Sequence, residues 1–337
     1  MSPPALPDLA EFRSALIVKP SSLGDIVHTL PAVHAIRQAH PHLKLRWLAN
    51  TEWTPLLQGI PWLDEVIAFP RKSFRGMTAL LKALQWARRS LPSATAQPEL
   101  VLDFQGLLRS AVLARASGSR PILGLSDSRE GARWLHDRVI PVDASAHAVD
   151  RYLALPRALG IAVDAEKLSF PLAPGRLPEG WPARDDLVVI HPWSRGAGKS
   201  LSAEALQALC DRLAPHPVVL VGMSEDKARP TGSHIVDFSH RTSLAELIAC
   251  LRTARWVISV DSGPMHMAAA VNDRTLALHT WSDPRQVGPY NPRAWVWKAG
   301  RIAHRQDFSA QEAGTEATIS AAAAREIGSF VLEQMAL

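Results

Sequence analysis

Asp25 stands in the stretch KPSSLGDIVHTLPAV, residues 19–33. An apolar run, Ala15–Val18, leads into a turn of small residues, and a helix-like pattern follows. Such a turn exposes backbone N–H groups at a helix N-terminus, which is how many phosphate-binding loops begin. A carboxylate in the first helical turn repels a phosphate. Beside a helix N-terminus it stays ionised, so two uses remain for it. It caps the helix, or it takes a proton from a hydroxyl that attacks a nearby electrophile.

The second half carries a complementary pattern. After the apolar run Leu187–His191 comes HPWSRGAGKSLS. Gly198, Lys199 and Ser200 imitate the end of a nucleoside-triphosphate loop, but Trp193 stands where that motif needs glycine. No strand-to-helix turn carries G-x-G-x-x-G, which weakens a nicotinamide-cofactor reading. Two readings stand for the loop: a diphosphate cradle with Arg195 and Lys199, or a solvated loop with incidental bases. In VISVDSGPMHMAAAV, residues 257–271, a strand pattern ends at Asp261 and Ser262–Gly263 makes a tight turn. Pro264 suits the first helical position, and Ala268–Ala270 gives the helix a small face. The turn's backbone donors and His266 then face a ligand, with a structural histidine as the alternative. In VGMSEDK, residues 221–227, Glu225 suits a ribose diol or an ordinary helix start.

Elements that place such residues alternate along the chain. Strand patterns fall at Ala15–Val18, Lys44–Leu48, Glu65–Phe69, Leu100–Asp103 and Ile122–Leu125. A second set falls at Leu187–His191, Val218–Val221, Ile235–Phe238, Trp256–Val260 and Thr275–His279. Helical patterns between them include Ile26–Ala39, Ala203–Ala214, Leu244–Thr253 and Pro264–Val271. The alternation predicts an α/β chain of two doubly wound, Rossmann-like domains facing across a cleft, with ligands at the carboxyl ends of the strands. The expected divisions are an N-terminal domain over 1–172, a Pro/Gly-rich linker over 173–186 and a C-terminal domain over 187–337, with the last helix a candidate to pack back on the first domain.

The 337 residues carry 37 Lys+Arg against 32 Asp+Glu, a formal charge of +5. That excess suits anionic ligands or an anionic membrane, and no basic run or finger motif points to nucleic acid. Cys210 and Cys250 form no disulfide framework and read as buried thiols. The start, MSPPALPDLAEF, is Pro-rich and acidic, unlike a signal peptide, and no apolar stretch reaches the roughly 20 residues that span a bilayer. The expected location is cytoplasmic.

These stretches resemble the ADP-heptose:lipopolysaccharide heptosyltransferases, glycosyltransferase family 9, of the GT-B fold. KPSSLGDIVHTLPAV and DSGPMHMAAA carry the resemblance most specifically. LDFQGLLRSA, SREGARWLHDRVIPV, HAVDR and SDPRQVGPY support it, and the middle stretches look most like the type I enzyme, which adds the first heptose to Kdo on lipid A. The resemblance implies a nucleotide-sugar donor, ADP-heptose, on the C-terminal domain and an anionic glycolipid acceptor on the N-terminal one. Asp25 matches the proposed base and Lys19 a lysine of the same motif. Lys199 matches the lysine that meets the donor phosphates. Asp261, Ser262, Gly263 and His266 match the donor turn, with Ser194 and Met265 beside them and Glu225 as the ribose acid. The Gly-rich Lys199 loop and Trp281, Trp295 and Trp297 depart from the pattern and leave the exact donor open.

A single base and direct displacement predict inversion, with no metal or other cofactor required by that logic. Arg71, Lys72, Arg75, Arg109, Arg129 and Arg133 are candidates for the acceptor's carboxylates and phosphates, each with a solvated alternative. FRGMTALLKALQWARRSL, residues 74–91, predicts a basic amphipathic helix whose stripe is Phe74, Met77, Leu80, Leu81 and Leu84. Burial against the sheet and docking on the inner membrane leaflet are its two uses. The expected whole is a monomeric, peripheral membrane heptosyltransferase. The rivals are a family-9 enzyme with another donor or acceptor, a GT-B-fold nucleotide-sugar epimerase, and a binding module without catalysis.

Overall fold

The computed structural model describes residues 6–76, 78–92, 98–164, 167–223 and 228–336. The chain divides into two compact units, one ending at Ala173 and one beginning at Pro174. In the first lie β1 (Ser14–Val18), α1 (Leu23–Ala39), β2 (Lys44–Asn50), α2 (Thr54–Leu57), β3 (Glu65–Phe69) and α3 (Ala79–Ser90). They are followed by β4 (Glu99–Asp103), α4 (Leu108–Ala116), β5 (Ile122–Leu125), β6 (Arg138–Ile140) and α5 (Ala148–Ala158). In the second lie β7 (Val188–His191), α6 (Ala203–Leu213), β8 (Val218–Leu220), β9 (Ile235–Asp237), α7 (Leu244–Thr253), β10 (Trp256–Val260), α8 (Gly263–Val271) and β11 (Thr275–His279). It closes with α9 (Pro284–Val287), β12 (Trp295–Lys298), β13 (Arg301–His304), α10 (Ala310–Gly314) and α11 (Ala321–Ala336).

The first sheet runs β3-β2-β1-β4-β5-β6, all parallel. The second runs β13-β12-β11-β10-β7-β8-β9 and is parallel except for β13. In each the order reverses beside the first strand, between β1 and β4 and between β7 and β10. Loops leave such a switch point in opposite directions and open a crevice at the carboxyl ends of the strands. The central strands are buried along their length, as helices on both faces require. The first unit's core joins Leu16, Val18 and Val101 to Ala87 and Leu113.

Several expectations shift. β6, β12 and β13 are not among the expected strands: each mixes Arg, Lys, Trp or His with its apolar residues and so lacks the continuous apolar run that marked the others. β12 and β13 form a hairpin across Ala299–Gly300, both at positive φ (50° and 85°), the two-residue turn that suits the twist of paired strands. Helix α1 begins at Leu23, a turn earlier than expected, so Asp25 is its third residue. The segment expected as a linker packs on the second unit. Trp181 meets Phe238 at 5.1 Å, and a Cβ on Gly175 would lie 2.1 Å from the Ala245 carbonyl oxygen. The last helix, a candidate for the first domain, buries Ala324, Ile327 and Val331 in the second unit's own core beside α6. No helix among the described residues is long and apolar enough to cross a membrane.

Candidate active site

In the first unit β1 delivers Lys19 and Ser22 to the switch point, and α1 delivers Asp25. Asp25 Oδ2 accepts from the Ser22 N–H at 3.0 Å and from its hydroxyl at 2.8 Å. The carboxylate therefore is a helix cap, and it is half-buried rather than enclosed. Its turn is held by distant residues. The Ser21 N–H donates to Gln105 Oε1 at 3.1 Å, the Asn50 N–H to the Pro20 carbonyl at 3.0 Å, and the Trp47 indole to the Lys19 carbonyl at 3.2 Å. A capping acid on a turn fixed from three sides is pre-positioned, a requirement of a general base.

Lys19, expected at the acceptor, is only 2% exposed. Its ammonium donates to the Tyr152 hydroxyl at 2.7 Å and to the Phe104 carbonyl at 3.0 Å. Burial works against its charge, but Tyr152, Asp25 and Asp103 outweigh this and hold its pKa above the ordinary lysine value. Burial likewise raises the Tyr152 phenol, so the pair is an ammonium and a neutral hydroxyl. Lys19 is thus a fixed buried cation whose field reaches Asp25, and the correction follows from its hydrogen bonds. Sequence reading missed Tyr152, though it is one of only two tyrosines in the chain.

Beside this turn a pocket of about 90 Å³ is lined by Ser21, Asn50, Arg71, Gln105 and Arg109, among others. Of the predicted arginines, Arg71 and Arg109 meet here; Arg129 and Arg133 are exposed and do not line it. Arg133 lies 5.2 Å from the ring of its neighbour Trp134. Arg129 contributes its backbone, donating to the Gly106 carbonyl at 2.7 Å. Gly106 has φ +62°, and a Cβ there would sit 2.7 Å from the Ser128 hydroxyl. Under the pocket Asp103 is fully buried. It accepts from the Gln105 and Gly106 N–H groups at 2.9 and 3.1 Å, and from the Ser110 hydroxyl at 3.0 Å. His136 Nε2 lies 3.0 Å from its second oxygen and carries the proton there, because a carboxylate only accepts.

In the second unit the two predicted stretches come together. Lys199 donates to Asp261 Oδ2 at 2.5 Å and sits 4.3 Å over the Trp281 ring. Ser282 donates to the same oxygen at 2.5 Å, and His279 Nδ1 lies 3.0 Å from the Ser282 hydroxyl. Burial alone would raise the Asp261 pKa. His279, His266 and Lys199 reverse that and bring it to about 2. Burial pushes His279 down to about 4, so at neutral pH it is uncharged and Lys199 carries the counter-charge. Lys298 supports the turn from below, donating to the Thr280 and Ser282 carbonyls at 2.7 and 3.1 Å. The Trp281 indole donates to the Ala197 carbonyl at 3.1 Å, tying the Lys199 loop to the same turn. Ser282, His279 and Trp281 were missed as site residues, although SDPRQVGPY contains the serine.

The other donor candidates divide. Ser194 closes its own loop, donating its N–H to Ser200 Oγ at 2.9 Å and accepting from the Gly196 N–H at 3.2 Å. Ser262 Oγ lies 3.2 Å from His191 Nδ1, whose pKa burial lowers to about 4. Gly263 opens α8, with Pro264 second rather than first, so first-turn N–H groups point out of the helix here. His266, in that turn, is within electrostatic reach of Asp261. Met265, expected beside the donor, instead has its side chain in the core with Ala277, Val296 and Phe308, because it lies on the sheet-facing side of α8. Glu225 lies outside the described residues. The arrangement is a fixed ammonium beside a helix N-terminus, suited to a diphosphate.

The chain matches the model of glycosyltransferase family 9 (heptosyltransferase) over residues 89–317. It belongs to that family. The lipopolysaccharide heptosyltransferase 1 of Pseudomonas aeruginosa is 29% identical over 290 residues, covering 82% of this chain and 81% of the relative. That of Salmonella typhimurium is 29% identical, covering 82% and 90%. The fold matches E. coli heptosyltransferase WaaC with ADP at a TM-score of 0.74 and 22% identity, over 95% of this chain and 99% of that one. E. coli ADP-heptose lps heptosyltransferase II matches at 0.69 and 21%, over 96% and 100%. This glycosyltransferase therefore has the GT-B fold, and the epimerase rival is set aside. Among the described residues no group of three or more His, Cys, Asp or Glu is placed to hold a metal ion.

Proposed function

We propose that this family-9 enzyme transfers a heptose from ADP-heptose to the Kdo region of a lipid A acceptor, at the inner face of the cytoplasmic membrane. The observation that carries the reading is the Lys199 ammonium held by Asp261 beside the start of α8, in a chain of this family. The donor diphosphate binds there, against Lys199, the first-turn N–H groups and His266. The acceptor binds the first unit, with Arg71 and Arg109 on its anionic groups.

Asp25 takes the proton of the attacking hydroxyl as the new C–O bond forms at the anomeric carbon. The bond from that carbon to the phosphate oxygen breaks, and its electron pair leaves with ADP. One displacement inverts the anomeric centre. Lys199 and the N–H groups meet the charge that develops on the leaving diphosphate, so the step calls for no metal. The test is incubation with ADP-heptose and Kdo-terminated lipid A, read by mass spectrometry. One added heptose and released ADP are expected. Transfer only from another nucleotide sugar would replace the donor, and no transfer from any would refute the reading.

A further inference from the structure

Helix α3 leaves exposed two leucines of the stripe for which burial and membrane docking were the two uses. Leu80 and Leu81 are 61% and 68% exposed, whereas Ala83 and Ala87 are buried. Trp86 packs on Phe69 at 5.1 Å, and Phe74, expected inside the helix, precedes it and packs on Phe69 at 5.5 Å. Small residues and one indole satisfy the sheet, so the leucines are left outside. At helical spacing Leu80, Leu84 and Arg88 form one ridge and Leu81, Gln85 and Arg89 the next, with Lys82 beyond. Met77 lies outside the described residues.

The charge around this face has one sign. From Val66 to Pro98 the chain has no Asp or Glu, and it has Arg71, Lys72, Arg75, Lys82, Arg88 and Arg89. Lys72 meets Glu52 at 3.7 Å. Lys82, Arg88 and Arg89 have no ion pair among the described residues. Exposed leucines ringed by unpaired cations suit a surface that is apolar within and anionic at its rim. A second copy docked face to face would set these cations against each other.

We infer that α3 docks the first unit on the surface of an anionic phospholipid bilayer. Leu80 and Leu81 enter the boundary between headgroups and acyl chains, and Lys82, Arg88 and Arg89 meet headgroup phosphates. Arg71, which lines the first unit's pocket, precedes α3 by eight residues, so docking brings that pocket toward a lipid-anchored acceptor. This purpose rests on the proposed function; the docking itself does not.

The full chain is sedimented with phosphatidylglycerol-containing vesicles and with pure phosphatidylcholine vesicles. Binding to the anionic vesicles is expected, weakened about tenfold or more by Leu80→Ser with Leu81→Ser. Charge removal at Arg88 and Arg89 should cost about fivefold per residue. The leucine variant and both arginine variants should transfer heptose to a delipidated, water-soluble Kdo acceptor at the parent rate. Equal binding to neutral vesicles, parent-like binding by both the leucine and the arginine variants, or a lipid-free dimer dissolved by the leucine variant would each overturn the inference. Absence of transfer to the soluble acceptor by the parent refutes the proposed function alone and leaves the vesicle result to decide the docking.

Discussion

Asp261→Asn keeps the size and shape of the side chain that fixes Lys199 and removes its charge. In the folded chain the Asp261 pKa is about 2 against an ordinary 3.8. The difference approaches two units, each about 1.4 kcal/mol; His279 adds to it only in acid, so about 2 kcal/mol is an upper bound on what ionised Asp261 contributes to folding stability at pH 7. The folded pKa is depressed, so this contribution is complete above the unfolded value near 4 and is lost as pH falls toward 2. Denaturant unfolding should therefore show the variant less stable at pH 7 by up to about 2 kcal/mol, with the gap closing toward pH 2. The amide also turns an N–H₂ group or a weaker acceptor toward Lys199, freeing an ammonium that now has a single fixed position. ADP affinity, measured by calorimetry, should fall several-fold in the same sample. A stability gap below about 0.5 kcal/mol at pH 7, or one unchanged down to pH 3, would refute the electrostatic account of Asp261.

Asp25→Asn should lower kcat by roughly 10²–10⁴ if the carboxylate is the base, and stability by about 1 kcal/mol or less through the weakened cap. Turnover within threefold of the parent removes Asp25 from the mechanism. Lys199→Ala should weaken ADP binding, and the loss should shrink at high salt; unchanged ADP affinity in calorimetry moves the donor elsewhere. Arg71→Ala and Arg109→Ala should each raise the acceptor KM with donor KM nearly constant, whereas Arg133→Ala should do neither. Equal effects at all three would dissociate acceptor binding from the pocket.

The two-unit α/β plan and the position of most strands were legible in the sequence, because a strand buried on both faces is a continuous apolar run between Gly, Pro and Asp punctuation. The sequence also located both candidate turns, since a strand end, a small-residue turn and a helix start are adjacent in the chain: Val18 to Asp25, and Val260 to His266. The partners of those residues come from tertiary contacts. Lys19 finds Tyr152 across 133 positions, and Lys199 finds Asp261 across 62, separations that no local pattern reports. Packing likewise turned Met265 into the core and left Leu80 and Leu81 outside. A periodic stripe says that one helix face differs from the other; which face the sheet accepts depends on volume, and here Ala83, Ala87 and the Trp86 ring fill the space.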